Sequence, residues 1–195
     1  MTAPAEEHGN AALDKVPLRR VVTGRLNGRS VVTHDGPSPR HHVFKHVPGM
    51  QQAFVWSTPP SATLMANEQS EAISASTSTM PRTVGETRFL ILTVPPTSWL
   101  ARKDLDPVAA AQELVQAMGQ QDVDVEEGGF HATNSIDYVL VLEGQVELLL
   151  DDEEPVLLKQ HDIVIQRGTR HAWRNLTDRP CVLAVILIGA ERNAA

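Results

Sequence analysis

The stretch from Tyr138 to Leu150 reads YVLVLEGQVELLL. Two apolar runs, rich in Val and Leu, flank the Glu143-Gly144 step. Because glycine adopts the positive φ that tight turns require, this pattern is typical of two antiparallel strands joined by a hairpin. We therefore expect a β-hairpin centred on Gly144.

The residues that follow continue as short apolar segments separated by polar turns. Predicted strands cover Pro155 to Leu158, Asp162 to Gln166, His171 to Asn175 and Cys181 to Ile188. Several short strands at near-regular spacing predict an all-β fold, an antiparallel β-barrel or jelly roll.

Six residues of this region occur in an order that resembles the two sequence motifs of the cupin superfamily. They are His131, Asp137 and Gly144, then Gly168, His171 and Asn175. The first motif of that family carries a His-x-His pair, a glutamate and a glycine, and the second ends in glycine, histidine and asparagine. The resemblance covers about the last third of the chain. It implies a cupin-type antiparallel β-barrel with N-terminal strand additions and one short helix.

Departures from the family pattern lie mainly in the first motif. Thr133 stands where the second histidine is expected, Asp137 replaces the glutamate, and Val125 occupies the position of the opening glycine. The metal site of the family uses three histidines and a glutamate, so the resemblance implies a reduced ligand set of His131, Asp137 and His171. Two imidazoles and one carboxylate suit a divalent metal such as Fe, Zn, Mn or Ni. The alternative is that this degenerate site binds no metal.

Two classes of function remain open for such a site. The first is a cupin enzyme, of dioxygenase, decarboxylase or isomerase/dehydratase type, acting on a small organic substrate that is aromatic or carbonyl-containing. Its catalytic residues would be His131, Asp137 and His171, acting through a metal or as general acids and bases. The second is a metal-free binding or sensing module without catalysis. An Asp137 side chain that points into the barrel beside both histidines favours the enzyme, and one that faces solvent favours the binder.

Strand alternation predicts further pocket residues, since side chains two positions apart share a face. The residues expected to line the substrate pocket are Thr133, Phe130, Gln166 and Trp173. Thr133 lies two residues after His131, and Trp173 lies two residues after His171. Tyr138 directly follows Asp137 and is expected to face the opposite side of the strand.

Composition limits the classes of partner. The 195-residue chain has a formal net charge of −7, which argues against nucleic acid or an anionic membrane surface, since both bind basic faces. Its one cysteine, Cys181, lies in an apolar strand segment and predicts a buried thiol in a reducing compartment. Without an apolar stretch of membrane-spanning length, we expect a cytoplasmic protein. The cupin resemblance further implies a homodimer and a small-molecule substrate.

The chain divides into four predicted segments. They are a disordered tail over 1–16, N-terminal strands with a Ser/Thr-rich arm packing on the barrel over 17–105, a helix over 106–122, and the barrel motif region over 128–189. Asp106 and Pro107 open the helix as N-cap and first helical residue. The turn signal Asn27-Gly28 predicts a hairpin from Arg19 to His34, whose arginines are expected on a solvated face.

The region between this hairpin and the helix is less regular. Strands are predicted at Met50–Ser57 and Glu86–Val94. The segment 58–81 is rich in Ser, Thr and Ala, and is expected to form a loop or a surface arm that could reach a second subunit. His41, His42 and His46 lie among prolines and are expected at the surface of an irregular loop, with no acidic residue close by in the sequence.

Overall fold

The computed structural model describes residues 18–65, 71–74, 76–118 and 125–192. The predicted tail and residues 119–122 of the predicted helix lie outside these ranges. Within them the protein has eleven β-strands, one α-helix and two short 3-10 turns. No helix in these ranges is long and apolar enough to cross a membrane.

All strand pairs are antiparallel, and the all-β jelly roll expected from the sequence is confirmed. The strands are β1 (Arg19–Leu26), β2 (Arg29–Pro37), β3 (Arg40–Val43), β4 (Gln51–Thr58), β5 (Thr87–Val94), β6 (Ser135–Glu143), β7 (Gln145–Leu149), β8 (Val156–Lys159), β9 (Ile163–Arg167), β10 (Ala172–Arg174) and β11 (Cys181–Gly189), and the helix is α1 (Pro107–Met118). The large sheet has the strand order β3-β4-β5-β11-β6-β9, the small sheet has the order β10-β7-β8, and β1 pairs with β2 alone. Across the described ranges, hydrogen bonds leave these sheets separate rather than joined in a closed barrel.

The hairpin predicted around Gly144 is wrong. β6 pairs with β11 and β9 in the large sheet, whereas the next strand, β7, pairs with β10 and β8 in the small sheet. Gly144 turns the chain between the two sheets with a φ of 79°, and a Cβ there would lie 2.8 Å from the Pro180 carbonyl oxygen. The positive φ and the close backbone approach both require glycine. The sequence therefore locates the corner but not the partners of its two strands.

The main hydrophobic core lies between the large and small sheets. The large sheet contributes Val139, Val141, Cys181 and Leu183, and the small sheet contributes Val146, Leu148 and Leu158. Burying each of the larger aliphatic side chains stabilises the fold by roughly 1.5–3 kcal/mol. The Cys181 thiol is fully buried, as predicted. Its burial, with the nearby charge of Glu143, raises its pKa to about 11.

The N-terminal hairpin is confirmed, and it extends further than predicted. Asn27 and Gly28, with φ of 50° and 77°, turn β1 into β2. The solvated face expected for the arginines is wrong for Arg20, which is only 5% exposed. Its guanidinium donates to both carboxylate oxygens of Glu71, at 3.0 and 2.5 Å. The charge is buried because a residue distant in sequence neutralises it.

Part of the Ser/Thr-rich segment packs on its own chain. Ile73 and Met80 are buried against apolar side chains of the large sheet, namely Phe54, Leu90 and Leu187. Leu64 and Met65, by contrast, are exposed. The described residues from 71 to 80 form no helix or strand, as expected of a loop, and Ile73 and Met80 attach this loop to the large sheet. Residues 66–70 and 75 of this segment lie outside the described ranges.

The helix α1 begins where its capping residues predict. Asp106 Oδ1 accepts hydrogen bonds from the backbone N–H groups of Val108 and Ala109, at 3.1 and 3.0 Å. These bonds satisfy donors that the first turn of a helix leaves unpaired. The buried face of α1 centres on Ala110, which packs against Phe44 and Val47.

The histidine-containing segment before β4 differs from its prediction. Arg40–Val43 forms the edge strand β3, where an irregular loop was expected. His41 and His42 are exposed, as expected. His42 nevertheless has an acidic partner, because its Nε2 lies 3.1 Å from Glu113 Oε1 on α1. This partner is 71 residues away along the chain, so local sequence could not reveal it.

Candidate functional site

His131 and His171 lie directly opposite each other at the end of the jelly roll. Their backbones form an isolated antiparallel bridge, with two N–H···O hydrogen bonds of 2.9 Å. Side chains at opposite positions of an antiparallel bridge project on the same face, so the two imidazoles lie side by side. The two imidazole centroids are 4.4 Å apart, with a tilt of 49° between the rings.

Both imidazoles are held in the same tautomer. His131 Nδ1 lies 3.0 Å from the Gly129 carbonyl oxygen, and His171 Nδ1 lies 3.0 Å from the Thr169 carbonyl oxygen. A carbonyl only accepts hydrogen bonds, so each Nδ1 carries the proton and each neutral ring keeps a lone pair on Nε2. Neither Nε2 atom forms a hydrogen bond within the described ranges. The pair therefore offers two free basic nitrogens.

Asp137 projects inward from β6 and is 4% exposed. Ser135 Oγ lies 2.5 Å from Asp137 Oδ1, and Thr133 Oγ1 lies 3.3 Å from Oδ2. Ser135, which is 2% exposed, is a site residue that the sequence reasoning missed. Its position two residues before Asp137 on the same strand face was the signal that could have revealed it.

The environment shifts the pKa values of two site residues in opposite directions. Burial raises the pKa of Asp137, against the opposing effect of the Ser135 and Thr133 hydroxyls and of nearby His131. Burial, with the charge of His131, lowers the pKa of His171 to about 4. The imidazole of His171 is therefore neutral at neutral pH.

The three residues predicted as metal ligands are not brought together as one ligand set. Within the part of the chain that the structure describes, no three His, Cys, Asp or Glu side chains are grouped closely enough to hold a metal ion. The two histidines have suitable Nε2 lone pairs, but the Asp137 carboxylate is bound by hydroxyl groups instead. The residues present do not fit the two-histidine, one-carboxylate arrangement.

Gln166 lies opposite Asp137 in the β6–β9 register and is 3% exposed. Its Oε1 accepts a hydrogen bond from the Thr169 hydroxyl. Its Nε2 is buried and has no hydrogen-bond partner among the residues that the structure describes. An unpaired buried donor costs about 1–3 kcal/mol, so this amide is suited to an acceptor supplied from outside the protein.

Of the two aromatic residues predicted for the pocket, Trp173 contacts the histidine pair and Phe130 contacts Arg170. Trp173 contacts His171 edge-on, with the ring centroids 5.5 Å apart, and its other side packs against the main core. Phe130 is half-buried beneath the guanidinium of Arg170, which lies 4.2 Å from the ring centroid. Arg170 is held there by ion pairs with Glu126 and Asp151.

Arg192 is a second residue that sequence reasoning missed. Its Nη2 donates to the carbonyl oxygens of Thr133 and Gly168, at 3.1 and 2.8 Å. These two carbonyls belong to the segments that carry His131 and His171, so Arg192 ties those segments together. Its position near the end of the sequence carries no local signal of this role.

Comparisons with known proteins agree with this architecture. Residues 116–187 match the Cupin domain family model. Phomopsin biosynthesis cluster protein D of Diaporthe leptostromiformis is 52% identical over 56 residues, which cover 27% of this chain and 30% of that protein. The cupin-domain-containing oxidoreductase virC of Hypocrea virens is 40% identical over 47 residues, 24% of each chain. The chain thus aligns with less than a third of the length of these relatives.

Solved structures also align with this chain. The DMSP lyase DddQ of Ruegeria pomeroyi is 19% identical and aligns with a TM-score of 0.35 over 55% of this chain and 41% of its own. A double-stranded β-helix protein of the RmlC-like cupin family from Methanocaldococcus jannaschii is 14% identical, with a TM-score of 0.36 over 60% of this chain and 86% of its own. The family-model match identifies a cupin domain over residues 116–187 of this chain, and the motif residues and the two-sheet jelly roll agree with that assignment.

Proposed function

We propose that the protein is a small-molecule enzyme that transfers protons at the His131–His171 pair. The observation that carries this proposal is the pair of adjacent imidazoles with free Nε2 atoms beside a buried carboxylate. Of the reaction types that the cupin resemblance implies, isomerisation or dehydration of a carbonyl compound needs these groups alone.

His171 is the general base in this proposal. Its neutral imidazole removes a proton from the carbon next to the substrate carbonyl, and the electron pair of that C–H bond forms an enolate. The unpartnered Nε2 of Gln166 donates a hydrogen bond to the enolate oxygen. In a hydroxyketone, His131 Nε2 carries the hydroxyl proton to the enolate oxygen, and the His171 imidazolium returns the carbon-bound proton to the former carbonyl carbon. General acid–base catalysis of this kind contributes about 10²–10⁴-fold.

The position of Asp137 favours an enzyme over a binding or sensing module. Its carboxylate faces the interior and lies near His131, which is the arrangement expected of a catalytic site. The names of several relatives, biosynthesis cluster proteins and cupin-domain-containing oxidoreductases, also support a role in small-molecule metabolism. The aromatic rings of Trp173 and Phe130 suit a substrate with a planar or apolar part.

The proposal is tested by deuterium exchange in D₂O. Purified protein is incubated with 2-oxo acids, 3-oxo acids and hydroxyketones, and ¹H NMR follows loss of the proton next to each carbonyl. We expect exchange with wild-type protein and a loss of about 100-fold or more in His171→Gln. The control is His161→Asn, which changes an exposed histidine with a φ of 75° to a residue that tolerates this conformation. Equal exchange in His171→Gln and His161→Asn would contradict the proposal.

A metal-dependent oxidative cupin is the second candidate. One observation favours it, because metal-binding histidines commonly donate Nδ1–H to a backbone carbonyl, as His131 and His171 do. In that case the two Nε2 atoms would hold the ion, and a further ligand would have to come from substrate or solvent. Iron, zinc, manganese or nickel at near-stoichiometric amount, lost in His171→Ala, would support this candidate.

A further inference from the structure

A second cavity lies outside the histidine site, between the outer strands of the large sheet and helix α1. Its volume is about 470 Å³, within the range of small-molecule pockets. Arg40 and His42 of β3, Gln52 and Phe54 of β4, and Glu113 of α1 are among its lining residues. The lining includes none of the residues assigned to the histidine site.

Arg40 is a half-buried cation in this cavity. Its guanidinium lies 5.3 Å from the ring centroid of Phe54 and donates a hydrogen bond to the Thr77 carbonyl oxygen. No carboxylate of the described ranges forms an ion pair with it, whereas the more deeply buried Arg20 and Arg88 each have one. Burial lowers the pKa of Arg40, which indicates that the positive charge is poorly solvated. Since a guanidinium has five N–H donors, most of its hydrogen-bonding capacity is unused by the described residues.

The carboxylate of Glu113 is already engaged elsewhere. Its oxygens accept hydrogen bonds from the backbone N–H groups of Lys45 and His46, at 2.9 and 2.8 Å, and lie 3.1 Å from His42 Nε2. Glu113 therefore anchors α1 to the segment after β3 and does not neutralise Arg40. Its negative charge in the lining also makes the cavity unfavourable for a doubly charged anion.

Gln52 supplies a second polar group beside Arg40. Its side chain is largely buried, at 8% exposure, and forms no hydrogen bond within the ranges that the structure describes. The carbons of Phe54 and Ala117 provide an apolar wall. One guanidinium, one amide and an apolar wall match a singly charged anion with an apolar body.

We propose that this cavity binds a small organic monocarboxylate, whose carboxylate pairs with Arg40 and accepts a hydrogen bond from the Gln52 amide. Arg–carboxylate pairing is planar and bidentate, which a half-buried guanidinium with free donors can satisfy. This site shares no residue with the histidine pair, so the binding proposal and the proposed proton transfer can be refuted independently.

Benzoate is the probe, titrated into the full chain and followed by ¹H–¹⁵N NMR. We expect saturable shifts of the Gln52 side-chain amide and of backbone amides in β3 and β4, with a Kd in the millimolar range or below. Arg40→Gln should weaken binding by about tenfold or more. The matched control, Arg25→Gln, changes an exposed arginine of β1 and should leave the Kd unchanged.

Gln52→Ala provides a second variant, because its side chain makes no hydrogen bond that the fold would lose. We expect it to weaken benzoate binding several-fold while the wild-type spectrum is otherwise retained. Absence of saturable shifts in wild-type protein would overturn the proposal. Equal affinity in Arg40→Gln and Arg25→Gln, or equal shifts on adding inorganic phosphate in place of benzoate, would overturn it as well.

Discussion

At the scale of single residues, the site is defined by which hydrogen-bonding groups are satisfied and which are not. The Nδ1 atoms of His131 and His171 are committed to backbone carbonyls, and the Asp137 carboxylate is committed to two hydroxyl groups. The Gln166 Nε2 donor has no partner within the described part of the chain. Fixed groups set the geometry of the pocket, and the unsatisfied ones are available for a substrate.

Replacing Ser135 with alanine tests the support of the buried carboxylate. The change removes the hydroxyl 2.5 Å from Asp137 Oδ1, and the carboxylate loses its shortest hydrogen bond in a buried environment. We expect the free energy of unfolding to fall by about 1–3 kcal/mol in urea titrations at neutral pH. Ser30→Ala, at an exposed position of β2, is the control and should change it by less than about 0.5 kcal/mol. Equal effects of the two substitutions would show that the Ser135 hydroxyl does not support Asp137.

At the scale of elements, the corner between β6 and β7 can be examined with a matched pair of glycines. Gly144 and Gly28 have similar φ angles, 79° and 77°. A Cβ at Gly144 would lie 2.8 Å from a backbone oxygen, whereas a Cβ at Gly28 would have no atom within 4 Å. Gly28→Ala should cost about 1–2 kcal/mol for the left-handed conformation alone. Gly144→Ala should reduce the free energy of unfolding, measured by urea titration, clearly more than Gly28→Ala does, because the neighbouring backbone must also move. Similar costs would indicate that the corner is not closely packed.

The attachment of α1 to the sheet depends on Glu113 and on pH. Burial opposes the ionisation of Glu113, but hydrogen bonds from the backbone N–H groups of His46 and Lys45 outweigh it and lower the pKa of the carboxyl. Because the pKa of Glu113 is lower in the folded state than its ordinary value of 4.5, the ionised carboxylate stabilises the fold at pH values above 4.5. This stabilisation is lost as the pH falls through the folded-state pKa.

Glu113→Gln should therefore reduce the free energy of unfolding by about 1–3 kcal/mol at pH 7, and the difference from wild type should shrink at acid pH. Urea titrations at several pH values measure this difference. Asp152→Asn, at an exposed turn, is the control and should show little difference at any pH. A difference between Glu113→Gln and wild type that does not change with pH would contradict the role of the ionised carboxylate.

At the scale of the whole molecule, local signals in the sequence were reliable and long-range partners were not. Asn27-Gly28 predicted a turn and Asp106 predicted a helix start, because each depends on neighbouring residues, whereas the orientation of Asp137 was left open. The strand partners of β6 and β7 depend on how the chain crosses between sheets. The apolar pattern is the same for a hairpin and for a corner, so the sequence could not distinguish them.

The same limit applies to the charged groups. Arg20 pairs with Glu71 and His42 with Glu113, across 51 and 71 residues of sequence. The histidine motif predicted that His131 and His171 belong to one site, whereas their adjacency and the separate hydrogen bonding of Asp137 emerge only in the folded chain. The homodimer and the cytoplasmic location stay predictions, whereas His131, Asp137 and His171 are not grouped as a three-ligand metal site.

The central claim is that the imidazoles of His131 and His171 transfer protons without a metal ion. The most direct test is deuterium exchange by protein treated with chelator, with its metal content verified by elemental analysis. We expect exchange to persist in metal-depleted protein and to be lost in His171→Gln. Exchange that disappears on chelation and returns when iron, zinc, manganese or nickel is added would contradict it.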